Sequence, residues 1–173
     1  MIGLILLEGI MAKSTFSGPI RSKAGIFNAG NDSVVSLTAD TTLTVDNHAG
    51  RILACNDADG KFTLPTILAS ALRLELNNLG ATYTFFIETA ATDLDIKTDG
   101  TDKFVGGLYS GKDDSTGKTF ISGASNDVIT LNGSTKGGLA GSIIRVTAIA
   151  DNKYAVEGII LGSGTIVTPF ADA

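Results

Sequence analysis

The chain has 173 residues, with 18 acidic against 13 basic side chains and a net charge of −5. That balance excludes the basic surface a nucleic-acid partner needs, and the length suits one cored domain rather than two. One cysteine and one histidine exclude an internal disulfide and a Cys/His zinc site, while 21 glycines against three prolines point to a turn-rich β protein.

The first element in chain order is apolar. Ile2–Ile10 (IGLILLEGI) is too short to cross a bilayer and lacks the basic region and cleavage site of a signal peptide, so no membrane partner is expected. Residues 1–30 carry Lys13, Arg21 and Lys23 against Glu8, a net +2, which leaves −7 for residues 31–173. The stretch after Lys13 has neither helical nor strand periodicity and is broken by Gly18-Pro19, Gly25 and Gly30. Its apolar side chains are spaced like anchors on an extended arm. We therefore read residues 1–30 as an arm and 31–173 as a β-rich domain, with Phe16, Pro19, Ile20, Arg21, Lys23 and Phe27 as candidate contacts to another subunit or surface.

Short strands are predicted at Val34–Leu37, Thr42–Val45, Arg51–Cys55 and Lys61–Leu64, each bounded by polar turns. Pro65–Leu79 breaks this pattern. Leu68, Ala71, Leu72, Glu75 and Leu79 share a helical face, so a short helix is predicted over residues 67–79. Thr82–Thr89 follows as a strand with apolar residues on both faces, the mark of a central position. Leu94–Thr98, Lys103–Tyr109, Phe120–Ser122 and Val128–Leu131 continue the series, and Asn132-Gly133 signals a type I′ hairpin. Gly164–Phe170 is the last predicted strand.

The clearest element is a hairpin. Ser142–Ile149 and Lys153–Ile160 are rich in β-branched residues and flank Ala150-Asp151-Asn152, a loop suited to a left-handed Asn. That turn sets Arg145 opposite Glu157 on one face, with Thr147 and Ala155. The other face collects Ile144, Val146, Ala148, Tyr154, Val156 and Ile160 as a buried stripe. The expected fold is an all-β antiparallel sandwich or barrel, jelly-roll-like, with an extended N-terminal arm and one short helix.

No catalytic constellation accompanies it. Gly111–Thr119 (GKDDSTGKT) imitates a phosphate-binding loop, but it has five residues where that motif has four, and it places Asp113 and Asp114 where phosphate would lie. His48 sits in a turn with no GxSxG elbow elsewhere to serve. Asp57-Ala58-Asp59-Gly60 begins like a calcium loop but lacks the closing Glu, so polar turn residues beside glycine are the simpler reading. No catalytic, cofactor or metal residue is assigned, and an enzyme is not expected.

Certain strings carry a resemblance. TFSGPIRSKAGIF, KFTLPTI, GATYTFFI, DVITLNGSTKGGLAGSIIRV and YAVEGIILGSGTIVTPF, in that order from Ser14 to Phe170, resemble the head decoration (cement) proteins of tailed bacteriophages. The resemblance implies a structural virion protein on the outer surface of the capsid, clustered as a homotrimer, with the major capsid protein as partner and no cofactor. A receptor- or glycan-binding module of a virion fibre, using a loop such as 109–119, is the alternative.

Overall fold

The computed structural model of the chain describes residues 30–69, 77–111 and 117–173. The arm anchors Phe16, Pro19, Ile20, Arg21, Lys23 and Phe27 lie outside the described residues, as do positions 70–76 of the expected helix and 112–116 of the polar tip. The described ends of the helix segment, 67–69 and 77–79, are irregular or turn.

Two sheets pack as a sandwich. One has seven strands, in the order β1 (Val34–Leu37), β3 (Ile52–Cys55), β5 (Thr82–Ile87), β10 (Ile143–Ala150), β11 (Lys153–Leu161), β7 (Lys103–Gly111) and β8 (Lys118–Ile121). The other has five, in the order β12 (Phe170–Ala171), β9 (Val128–Leu131), β6 (Leu94–Lys97), β4 (Lys61–Thr63) and β2 (Thr41–Thr42). Alternation of apolar and polar residues puts Leu53, Tyr83, Phe85, Ile144, Val146 and Tyr154 of the first sheet against Phe62, Leu94, Ile96, Ile129 and Leu131 of the second, all buried. The rings of Phe62 and Phe85 stack across the layers at 6.3 Å. Each such side chain contributes about 1.5–3 kcal/mol on leaving water.

The sandwich is all-β as expected, but its sheets are mixed rather than antiparallel. From β1 to β6 the chain crosses to the facing sheet after every strand. Each return therefore runs in the same direction as the strand it joins: β1, β3 and β5 are parallel neighbours, and so are β2, β4 and β6. Val34 lies beside Ile52 and Ile52 beside Thr84, so one coil takes 18 residues and the next 32, the longer one containing the 65–79 segment. Side-chain alternation has the same period in either direction, which is why the sequence pattern alone favoured the commoner antiparallel pairing.

Three further expectations are corrected. Thr42–Val45 is not a strand: β2 stops at Thr42, and Thr44 caps a one-turn helix, α1 (Val45–His48), by accepting the Asn47 N–H at 3.4 Å. Asn132-Gly133 does not close a hairpin. The Asn132 side-chain oxygen accepts the N–H groups of Ser134 and Lys136 at 3.0 and 2.8 Å, forming a loop that carries the chain from β9 to the other sheet. Of Gly164–Phe170, only the end is a strand, where Phe170 and Ala171 pair with β9.

The hairpin has the expected register through Ala148. Ala150, however, pairs with Lys153 instead of belonging to the loop, so the turn is Asp151-Asn152 alone and Ile149 is bulged. β10 and β11 pair Arg145 with Glu157, Val146 with Val156 and Ala148 with Tyr154, and Asn152 takes φ 58° at the turn. Its position is central, between β5 and β7. Gly158 and Gly106 permit this insertion. A Cβ at Gly158 would stand 2.2 Å from the Ile143 carbonyl oxygen, and one at Gly106 would stand 2.2 Å from that of Val156.

One end of the sandwich is closed by Pro65–Leu68. The Tyr154 hydroxyl donates to the Pro65 carbonyl at 2.5 Å, and Ile67 N–H donates to Asp102 Oδ2 at 2.8 Å. Asn78 accepts from Leu68 N–H and donates to the Thr66 carbonyl. These bonds satisfy backbone groups that no ladder serves.

Candidate functional site

The residues with catalytic potential are dispersed. His48 lies in α1, where its Nδ1 accepts the Thr44 N–H at 2.9 Å and so completes a local turn. Lys118 begins the edge strand β8, which follows β7 in an antiparallel hairpin. A phosphate loop needs a helix at that point, so its geometry is missing. Cys55 is fully buried, and burial pushes its thiol up to about 12, far from a reactive thiolate.

The acidic turns around β4 are occupied by a cation of the chain's own. Lys61 Nζ reaches Asp93 at 3.0 Å and Asp95 at 3.1 Å. Burial pushes the Lys61 ammonium down, and these two carboxylates together outweigh it and hold it above the usual lysine range. Asp57 is raised by its neighbour Asp59. Among the described residues no group of three or more His, Cys, Asp or Glu side chains is placed to hold a metal ion. No helix among them is long and apolar enough to cross a membrane.

What the described residues do present is an uncovered apolar sheet face. On the outer side of the seven-stranded sheet, register aligns one row across the strands: Ser36, Ala54, Phe86, Ile143, Ile159, Tyr109 and Thr119. The adjacent row is Val34, Ile52, Thr84, Arg145, Glu157, Gly107 and Ile121. A third holds Thr82, Thr147, Ala155 and Val105. Of the twelve large apolar side chains exposed among the described residues, eight belong to this face: Val34, Ile52, Val105, Tyr109, Ile121, Ile143, Ile149 and Ile159. Ile121 is 77% exposed. Concentration on one side separates this from the scattered surface apolars of an ordinary domain.

Charge sharpens the contrast. The only charged side chains in the three rows are Arg145 and Glu157, bonded to each other at 2.9 Å, and Lys153 and Lys103 stand in the next row, beyond Ala155 and Val105. Arg145 and Glu157 flank a shallow depression of about 310 Å3, with Ile143, Gly158 and Ile159 completing its lining. The outer side of the five-stranded sheet instead carries Lys61, Asp95, Lys97, Thr63 and Thr130. Most of the exposed large apolar side chains thus gather on one side of the sandwich, and the Lys61 ion pairs lie on the other.

No protein-family model matches the chain, and no curated protein or solved structure shows significant similarity to it.

The arm residues expected to make contacts lie outside the described residues, so the structure brings none of them to this face. Sequence reading missed the face itself. Its signals were the paired apolar residues on both sides of TYTFFI and the isoleucines Ile143 and Ile159 on the polar side of the hairpin. Each alone is an ordinary exposed apolar residue, and only cross-strand register joins them into a row.

Proposed function

We propose that this chain is a structural protein of a tailed-phage head, one that binds the outer surface of the assembled capsid and stabilises it. The observation that carries the reading is the outer face of the seven-stranded sheet, which gathers exposed apolar side chains in three adjoining rows whose only charges are the paired Arg145 and Glu157. A chain that offers a contact surface and no catalytic constellation among its described residues fits an assembly function. The ordered strings from Ser14 to Phe170 support a decoration protein in particular.

In this reading the domain joins copies of itself, and residues 1–30 reach the capsid protein through Phe16, Pro19, Ile20 and Phe27, helped by Arg21 and Lys23. An apolar anchor contributes about 1.5–3 kcal/mol when fully buried, less the cost of ordering an extended chain. Binding only to the assembled lattice stabilises it by mass action, and repetition over the shell adds avidity.

The test is cosedimentation of the full-length protein with undecorated heads, followed by heating of the decorated heads. Decoration with raised heat resistance is expected. Full-length protein carrying Phe16→Ala, Ile20→Ala and Phe27→Ala should fold normally and decorate at least tenfold more weakly, as the loss of a few kcal/mol requires. Failure of the parent protein to bind any head sinks the reading.

A further inference from the structure

We propose that the outer face of the seven-stranded sheet is an interface between two copies of this chain, packed face to face about a two-fold axis that runs parallel to the strands between β10 and β11. The strand order makes the face self-complementary about that line. Rotation sets β10 against β11 of the second copy, β5 against its β7, and β3 against its β8. Because cross-strand partners share a row, the side chains that then meet are fixed by the observed register. Ile143 faces Ile159 of the second copy, and Phe86 faces its Tyr109. Ile52 faces its Ile121. The two lone charges match as well: Arg145 faces Glu157 of the second copy and Glu157 faces its Arg145, so the in-chain pair becomes a closed ring of four alternating charges. Thr84 meets the second copy's Gly107, a small residue against none.

The size is also right. The rows that meet cover six strands twice and four strands once, a plan of roughly 500 Å2 per copy at about 4.8 Å between strands and about 6.8 Å between rows, which reaches the ~1,000 Å2 in total that a specific interface needs. Two twisted sheets pack in this way inside ordinary sandwiches, aligned within about 30°. The apolar segment Ile2–Ile10 is a weaker occupant, since a single extended strand covers one row and leaves the others open. A ring of three needs two different complementary patches, and the charged outer side of the five-stranded sheet offers no counterpart to this one.

The proposal is independent of what the assembled pair binds, and it is tested on purified full-length protein with no heads present. Sedimentation across a wide concentration range should show a two-copy species. Ile159→Asp should abolish it while circular dichroism stays unchanged. Arg145→Glu should weaken it at least tenfold, and Arg145→Glu combined with Glu157→Arg should restore it. Treatment of an equal mixture of Ile52→Cys protein and Ile121→Cys protein with a bis-maleimide of about 8–10 Å span should yield a linked pair of one of each, since facing sheets pack about 10 Å apart, beyond disulfide reach. Within one chain those positions are five strands apart, so the link can form only between copies. A parent protein that is monomeric at every concentration overturns the proposal and assigns the face to residues 2–10 or to an outside partner. A three-copy mass, or a two-copy species indifferent to Ile159→Asp, overturns it equally.

Discussion

Asp102 is the most deeply buried acidic side chain among the described residues. It is fully buried, Oδ2 accepts the Ile67 N–H, and Oδ1 has no partner. Burial pushes its carboxyl up, the Ile67 bond draws it partly back, and the nearby charges of Asp99 and Asp151 push it up again, for a net rise. A carboxyl raised in the folded state binds a proton more readily folded than unfolded. Its contribution is therefore fully present below the unfolded value and is lost as pH rises through the folded one. Asp127 has the opposite sign. Burial raises it, but Lys103 at 2.6 Å and the Ala173 N–H outweigh burial and hold it low, so its contribution is lost as pH falls. Urea unfolding of Asp102→Asn beside the parent protein separates the two. The parent should lose stability relative to the variant as pH rises above the ordinary carboxylate range of about 4. A constant difference over that rise would show that Asp102 titrates as it does in the unfolded chain.

At the scale of elements, the central hairpin and the closed end depend on unlike chemistry. The hairpin needs bare backbone: with φ +157° and the Ile143 carbonyl 2.2 Å from where a Cβ would stand, Gly158→Ala must push β10 and β11 apart. We expect a cost of about 2 kcal/mol or more, read as a lower urea midpoint with an unchanged slope. A cost within experimental error would mean that the two strands have room to part. The hairpin was legible in the sequence because its strands are adjacent in the chain and its turn residue, Asn152, names the backbone conformation it adopts. The short helix α1 has a local signal, since Thr44 with Asp46 and Asn47 behind it is a capping pattern, but the β-branched residues Thr41, Thr42, Thr44 and Val45 around Leu43 read more strongly as a strand. Buried polar straps such as Tyr154 to Pro65 were not legible, because they join residues 89 positions apart that share no local pattern.

For the whole molecule, periodicity established that the chain is a two-layer β structure but not how its strands are wound. Strand, turn and alternation look the same whether a chain reverses within a sheet or crosses to the facing one. The contact face was hidden for a related reason: Ile52, Phe86, Ile143 and Tyr109 come from four strands that only the sheet order brings side by side. The same order explains why one side of the molecule stays wet. Lys61 and its two aspartates on the five-stranded sheet keep that side charged and give a partner little reason to shed its water there.

The central place of β10 and β11 also fixes when this protein can come into being. Strands β1, β3 and β5 lie on one side of the hairpin and β7 and β8 on the other, so the middle of the large sheet is synthesised after both flanks. A nascent chain ending before Ile143 holds two half-sheets with nothing between them, and the edges of β5 and β7 that the hairpin will pair with are bare. Folding on the ribosome should therefore wait until Leu161 has cleared the exit tunnel and then complete in one cooperative step, slowly for a chain of this size because nearly all its other strand pairings are distant in sequence. Stalled chains cut at residue 141 should be digested rapidly by protease, and chains carrying the whole sequence plus a tunnel-spanning linker should resist it. Protection already present at residue 141 would mean that the parallel coil of β1 to β6 stands alone and that the hairpin only completes it.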